Sequence, residues 1–246
     1  MNEDKEEIKG QNDPPVRGKL SLPSEVVWLF ALVLIAFSVS MTVAAGLGVS
    51  MIVCPAYLVS EKVSFLTFGQ AEYILQGILF AALCVSVRRF KLVYLSSFLS
   101  CLIYGLILDL FQKFIPLFNA GVTPPESLPL AARIALLVGG MVLTSLSVAL
   151  FFKVYLYPQV YDFFVVAIVA RYRLKEGLTK TIFDLSFFAL SLPLSFALFG
   201  GLAGIGWGTL AMAVCNGTLI GLFSKGFDKL FVTKPIFPKF AKLFEI

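Results

Sequence analysis

Residues 185–224 read LSFFALSLPLSFALFGGLAGIGWGTLAMAVCNGTLIGLFS, forty consecutive positions without Asp, Glu, Lys or Arg. A bilayer core about 30 Å thick is crossed by about 20 apolar residues of helix. This stretch alone is therefore long enough for two crossings, joined at a glycine-rich turn. The rest of the chain continues the theme: 59% of its 246 residues are hydrophobic and 14% charged. An ordinary soluble domain carries about 25% charged residues, so there is too little polar surface here to face water all round. The sequence predicts an all-α integral membrane protein.

Working outward, six runs have the length and composition of transmembrane helices: 26–45, 69–87, 92–111, 130–152, 180–199 and 205–224. Pro193 falls inside the fifth, where the loss of one backbone hydrogen bond predicts a kink. Residues 117–129, with Pro124 and Pro125, form an extracytoplasmic loop. Two further apolar runs, 49–59 (interrupted by Pro55) and 160–170, have eleven residues each. That length suits re-entrant or interfacial helices better than crossings.

Charge sets the orientation. Basic residues in short loops favour the cytoplasmic side. With six crossings and a cytoplasmic N-terminus, only Lys62, Lys113 and Arg133 lie outside, and the compact turn Arg88-Arg89-Lys91 lies inside. Eight crossings would barely change the totals but would put that turn outside. Residues 1–24, densely charged and broken by Asp13-Pro14-Pro15, read as a disordered, retained cytoplasmic tail. A cleaved signal would instead show a short basic start and an apolar region of about 7–15 residues. Residues 229–246 read as a basic amphipathic cytoplasmic tail suited to an anionic leaflet. The expected location is a bacterial plasma membrane with both ends inside.

The two halves, 25–116 and 130–228, look alike. A shift of 109 residues lays Ser38-Val39 on Ser147-Val148 and superposes the two short runs. With three more residues, Gly105, Leu110, Phe111 and Lys113 meet Gly217, Leu222, Phe223 and Lys225. Three crossings per half would give the halves opposite orientations, the plan of inverted-topology repeats.

The chain also resembles the bacterial membrane-protein family that includes YczE, YyaS and YitT. The likeness extends from about residue 31 to 228. It rests on Ser38-Val-Ser-Met-Thr-Val-Ala-Ala-Gly-Leu-Gly48, Ser147-Val-Ala-Leu-Phe-Phe-Lys153, Tyr161-Asp162, Gly204-Ile-Gly-Trp-Gly-Thr209 and Asn216-Gly217. The family pattern repeats a basic residue, Leu-Gly and a Pro-x-Asp helix start in each half. Lys153 and Asp162 match it in the second half. Ala44, Gly46 and Val53 depart from it in the first, so a symmetric ion site would have lost its first-half charges. The resemblance implies a permease-like protein.

Ionisable groups at membrane depth are costly and point to function. Asp162 opens the second short run, where it can cap free backbone N–H groups or meet a cation; capping is the plainer reading. Asp184 lies four residues after Lys180 and shares its helix face, as a membrane-edge ion pair would. Asp109 and Lys113 suggest a similar pair. Glu72 and Gln76, one turn apart, suit either a cavity or the interface. Asp162, Asp184, Asn216, Gln76 and Thr209 are the expected substrate contacts. Gly46, Gly48, Gly204, Gly206 and Gly208 are expected to provide turns, close packing and hinges, rather than an anion site at a helix N-terminus.

Enzyme constellations are absent. There is no histidine, hence no Ser-His-Asp triad and no HExxH zinc site. Cys54, Cys84, Cys101 and Cys215 form no CxxC pair, so neither a metal site nor a cofactor is expected. No nucleic-acid patch of clustered Lys and Arg appears. The expected partners are the lipid bilayer, an unidentified small solute, and a second copy or membrane partner. Two functions fit: a small permease working between the halves, or a non-transporting accessory or scaffold protein. A wet cavity holding Asp162 or Asp184 would favour the first.

Overall fold

The computed structural model describes residues 20–87 and 94–242. The apolar runs fold as helices because lipid leaves the backbone no other partner for its N–H and C=O groups. In chain order they are α1 (Ser24–Ala45), α2 (Cys54–Lys62), α3 (Phe68–Val87), α4 (Leu95–Phe114), α5 (Leu130–Phe151), α6 (Val160–Tyr172), α7 (Glu176–Phe199) and α8 (Trp207–Leu230). A short strand β1 (Leu20–Pro23) precedes them; β2 (Phe231–Lys234) and a single turn, α9 (Pro238–Ala241), follow. Among the described residues six helices, α1, α3, α4, α5, α7 and α8, are long and apolar enough to cross a membrane. Large apolar side chains such as Phe30, Ile78, Leu106 and Val214 stand exposed along them, as they do where the solvent is lipid. The chain is a multi-pass membrane protein.

The centre is the pair α1 and α5. Ser147 Oγ donates to the Ala31 carbonyl at 2.7 Å, and the hydroxyls of Ser38 and Thr144 lie 2.9 Å apart. A Cβ on Gly140 would stand 2.6 Å from Thr42 Cγ2, so a small residue is what lets the helices approach. The start of α1 meets the end of α5, so the two run antiparallel. Three candidate spans, α1, α3 and α4, precede the start of α5.

Around this pair α4 packs on α1 and α8 on α5; α2 lies against α3 and α7; α6 lies against α7 and α3. Exchanging α1–α4 for α5–α8 maps these pairings onto one another. The exceptions are α3 against α4 and a small contact of α4 with α6, which have no comparable counterpart. Helix boundaries show a shared register. Leu130 lies 106 positions after Ser24, Phe151 after Ala45, and Val160 after Cys54; the facing hydroxyls of Ser38 and Thr144 have the same separation. These helix boundaries share a separation of 106 positions, against the 109 at which the residue identities align.

The chain enters and leaves at one end of the bundle. β1 pairs in parallel with β2, Leu20 opposite Phe231 and Pro23 opposite Lys234. Glu25 then accepts bonds from the Ile236 and Phe237 amides and from the Tyr155 hydroxyl. Residues 20–23, in the expected N-terminal tail, form β1, and residues 229–234, in the expected C-terminal tail, belong to the end of α8 and to β2. Residues 1–19 and the Arg88-Arg89-Lys91 turn lie outside the described residues.

Candidate functional site

Glu72 and Gln76 sit one turn apart on the face of α3 that meets α6, and both are fully buried. The reason is α6. A helix leaves its first N–H groups without internal partners, and the Val160 N–H donates to Gln76 Oε1 at 3.1 Å. Gln76 Nε2 in turn donates to Glu72 Oε2 at 3.0 Å and to Gln159 Oε1 at 3.3 Å. Tyr161 donates its hydroxyl to the same Glu72 Oε2 at 2.9 Å. The start of α6 is thus capped by a side chain from another helix and tied to a fully buried carboxyl group.

The cluster is not closed. Glu72 Oε1, Gln159 Nε2 and the hydroxyl of Tyr104, which reaches in from α4, are buried without a hydrogen-bond partner. Buried polar groups are nearly always paired, so an unpaired carboxyl oxygen with two further unpaired groups leaves room here for a polar guest.

Asp162 is the next residue on α6 but faces away from the cluster. Lys180 Nζ stands 3.2 Å from its Oδ1 and 3.1 Å from Asp184 Oδ1. Asp162 is therefore half of a paired arrangement and does not cap α6. The expected i,i+4 pair of Lys180 and Asp184 is present, with Asp162 as a third member. Asp109 and Lys113 do not pair: Asp109 accepts from the Thr67 hydroxyl and the Gly69 amide at the start of α3, while Lys113 lies over the Phe114 ring. Asn216 stands apart on α8, its Oδ1 3.4 Å from Ser145 Oγ.

The glycines meet as a group. Gly48, at φ +107°, lies against Gly206, where a Cβ would come within 2.6 Å of the Gly206 nitrogen; a side chain would be strained by conformation and by contact alike. The backbones bond across: Val49 N to Gly204 O at 2.9 Å, and Gly208 N to Leu47 O at 2.8 Å. Thr209, fully buried, donates its hydroxyl to Val49 O at 2.7 Å. Gly46 ends α1 at φ +60°, and Arg133 from α5 donates to the carbonyls of Ala45 and Gly46 at 2.8 and 2.7 Å. The Gly208 N–H at the start of α8 is occupied by protein, so these glycines serve close packing.

Two cavities, of about 560 and 420 Å³, open at the end of the bundle where α1 and α4 finish and α8 begins. Tyr57, Glu61 and Phe118 line both. The first adds Glu126, Gly206 and Trp207; the second adds Phe68, Asp109 and Lys113. Burial raises the Glu61 carboxyl above the usual carboxylate range. Neither cavity is lined by Asp162 or Asp184. Phe68 belongs to the second, and Glu72 lies one helical turn further along α3. Among the described residues no three His, Cys, Asp or Glu are grouped as they would be around a metal ion.

Of the expected contacts, the fold thus joins Asp162 with Asp184, places Gln76 in the α3–α6 cluster and Thr209 in the glycine crossing, and leaves Asn216 alone. Glu72, Gln159, Tyr161 and Tyr104 complete the cluster. Its only local signal was the spacing of Glu72 and Gln76 in an otherwise apolar run.

The chain belongs to a family of unknown function, DUF6198, whose model matches residues 22–225. No curated protein and no solved structure matches it.

Proposed function

We propose that this protein is a small permease, built from two inverted repeats, whose site lies where the second short helix meets the first half. The observation that carries the reading is Glu72: a carboxyl group fully buried in a transmembrane helix, half satisfied, at a contact between the halves. Such groups are expensive and mark solute or ion pathways. The pairing of helices under exchange of the halves and the antiparallel α1 and α5 support the inverted plan. That plan offers two related conformations, one open to each side.

In this reading α2 and α6 are re-entrant, and the cavities lined by Glu61 form the vestibule on one side. Gln76, Gln159 and Tyr161 hold the pathway below it closed. The crossing of Gly48 with Gly206 is the fixed contact that holds the halves together, and Lys180 with Asp162 and Asp184 steadies α6 against α7. The protein lies in a bacterial plasma membrane with both ends cytoplasmic, in keeping with its basic loops and with the likeness to the YczE and YitT proteins. A scaffold role finds its support in α8, which packs mainly on α5 and leaves Val214 77% exposed.

The test is a thermal-stability screen of the purified protein against alkali cations, ammonium, amino acids and nucleobases, in wild type and Glu72→Gln. A ligand at 100 times its Kd stabilises by about 2.7 kcal/mol. We expect at least one compound to raise the melting temperature of wild type only, and to enter protein-containing vesicles faster than empty ones. A panel without a stabilising compound, or hits that cross both kinds of vesicle equally, would leave the scaffold reading in place.

A further inference from the structure

Resting on the permease reading for its role, but not for its detection, one property of the cluster goes further. We propose that Glu72 is the site of an exchangeable proton, taken up on Oε1 and released again as α6 moves away from α3.

The two oxygens of Glu72 are treated differently. Oε2 accepts from Gln76 Nε2 and Tyr161 Oη, and no donor reaches Oε1. An ionised carboxylate accepts at both oxygens, whereas a protonated one has an O–H to donate and needs fewer donors. The closed arrangement is therefore built for a carboxyl that keeps its acceptor role on Oε2 and carries hydrogen on Oε1. The Tyr104 hydroxyl is a second buried group without a partner; it does not bond to Oε1 directly, and a water between the two would join them.

Among the described residues, no Lys or Arg bonds to the cluster. From α4 the cluster is faced by Tyr104 and Cys101, the latter with Sγ 4.0 Å from the Glu72 carbonyl. From α6 it is faced by Tyr161. On α3 itself the neighbour is Tyr73, and α2 brings Tyr57 and Glu61, which line the vestibule. Lys180 is held by Asp162 and Asp184, and Asp109 by Thr67 and Gly69. An unpaired charge buried this way costs several kcal/mol, on the order of what breaking a buried pair costs. A bound proton removes it. A metal cation would need more oxygen ligands than this donor-rich set offers, since the amide nitrogens of Gln76 and Gln159 both point into it.

The exchange itself is simple. An Oε1–H bond forms with a proton supplied by water reaching the cluster from the vestibule. When α6 withdraws its Tyr161 donor and the Gln76 cap breaks, the site becomes wet, and that bond breaks again to give the proton to water.

The experiment is infrared difference spectroscopy of the full-length protein in lipid, alkaline minus acidic pH, in sodium-free buffer and then with sodium or potassium at fixed pH. Wild type is expected to lose the carbonyl band of one protonated carboxylic acid in a dry setting as pH rises, and Glu72→Gln is expected to lack that band at every pH. Tyr161→Phe, which removes one donor to Oε2, should keep the band but shift its position and its midpoint. It carries the test if Glu72→Gln is not monodisperse.

Identical difference spectra for wild type and Glu72→Gln would overturn the proposal, as would a band unmoved in Tyr161→Phe. A band that answers to sodium or potassium and not to pH would also overturn it, and would make Glu72 a metal-cation site. The band can be present while the vesicle assay shows no uptake, in which case the permease reading falls alone. Uptake without the band removes only the proton.

Discussion

At the start of α2 the chain is held by backbone: Val49 and Leu47 bond to Gly204 and Gly208, and the glycines leave no space between the strands of the crossing. At the start of α6, in the corresponding place of the second half, it is held by side chains. Gln76 caps Val160, Ser100 donates to the Tyr157 carbonyl at 2.9 Å, and Tyr161 reaches Glu72. The backbone crossing has no room for an added side chain: a Cβ on Gly48 would lie 2.6 Å from the Gly206 nitrogen, and one on Gly206 would lie closer still to the Leu47 carbonyl oxygen. In the side-chain cluster, amides and hydroxyls can rotate to new partners. One architecture thus contains a fixed joint and an adjustable one, and the polar side chains of the adjustable one, Glu72, Gln76 and Ser100, come from α3 and α4.

The comparison can be broken at either end. The largest effect is expected at the fixed joint. Gly48→Ala combines a forbidden backbone angle with a contact on Gly206, and should cost about 2–4 kcal/mol, read as a lower unfolding midpoint in detergent. A variant that melts like wild type would show the crossing to be loose. Next comes Gln76→Leu, which strips the cap from Val160 and one donor from Glu72 Oε2. A loss of about 1–3 kcal/mol is expected, together with faster amide exchange at the start of α6 but not of α2.

Thr209→Val and Ser100→Ala remove the two hydroxyls that bond to the loops before α2 and α6. Each should cost about 1 kcal/mol by the same unfolding measurement. The contrast sharpens if only Ser100→Ala also alters hydrogen exchange at Gln159 and Val160. The smallest effect concerns Glu61, whose carboxyl burial raises above its unfolded value. The stability linked to its protonated form is therefore present at low pH and lost as pH rises through the folded value. Glu61→Gln should melt slightly higher than wild type above that pH and equally below it, in a melting series across pH.

Much of this was legible from residues alone. All six spans are visible because a run without charge has no other stable place, and their ends moved by only a few residues; the largest change is α8 continuing to Leu230, where Lys225, Asp228 and Lys229 had seemed to end it. The two short helices were visible for the same reason. Residue identities align the two halves at 109 positions and helix boundaries at 106; Ser-Val and Leu matches are cheap in apolar sequence, whereas helix boundaries are fixed by packing.

The site was half legible. Asp162 drew attention as a carboxylate opening an apolar helix, but its partner, Lys180, is 18 residues away and shares no helix with it. Glu72 suited a cavity and the interface equally, since nothing in its own helix shows that α6 will cover it. Strands β1 and β2 gave no signal at all: four residues each, with partners more than 200 positions apart.

Those strands have a consequence for how the protein is made. Leu20–Pro23 is the first described element to leave the ribosome, and its partner, Phe231–Lys234, is nearly the last. The pairing of β1 with β2, and of Glu25 with the Ile236 and Phe237 amides, thus waits until those later residues have been made. A truncated product ending before residue 231 has no means to form it.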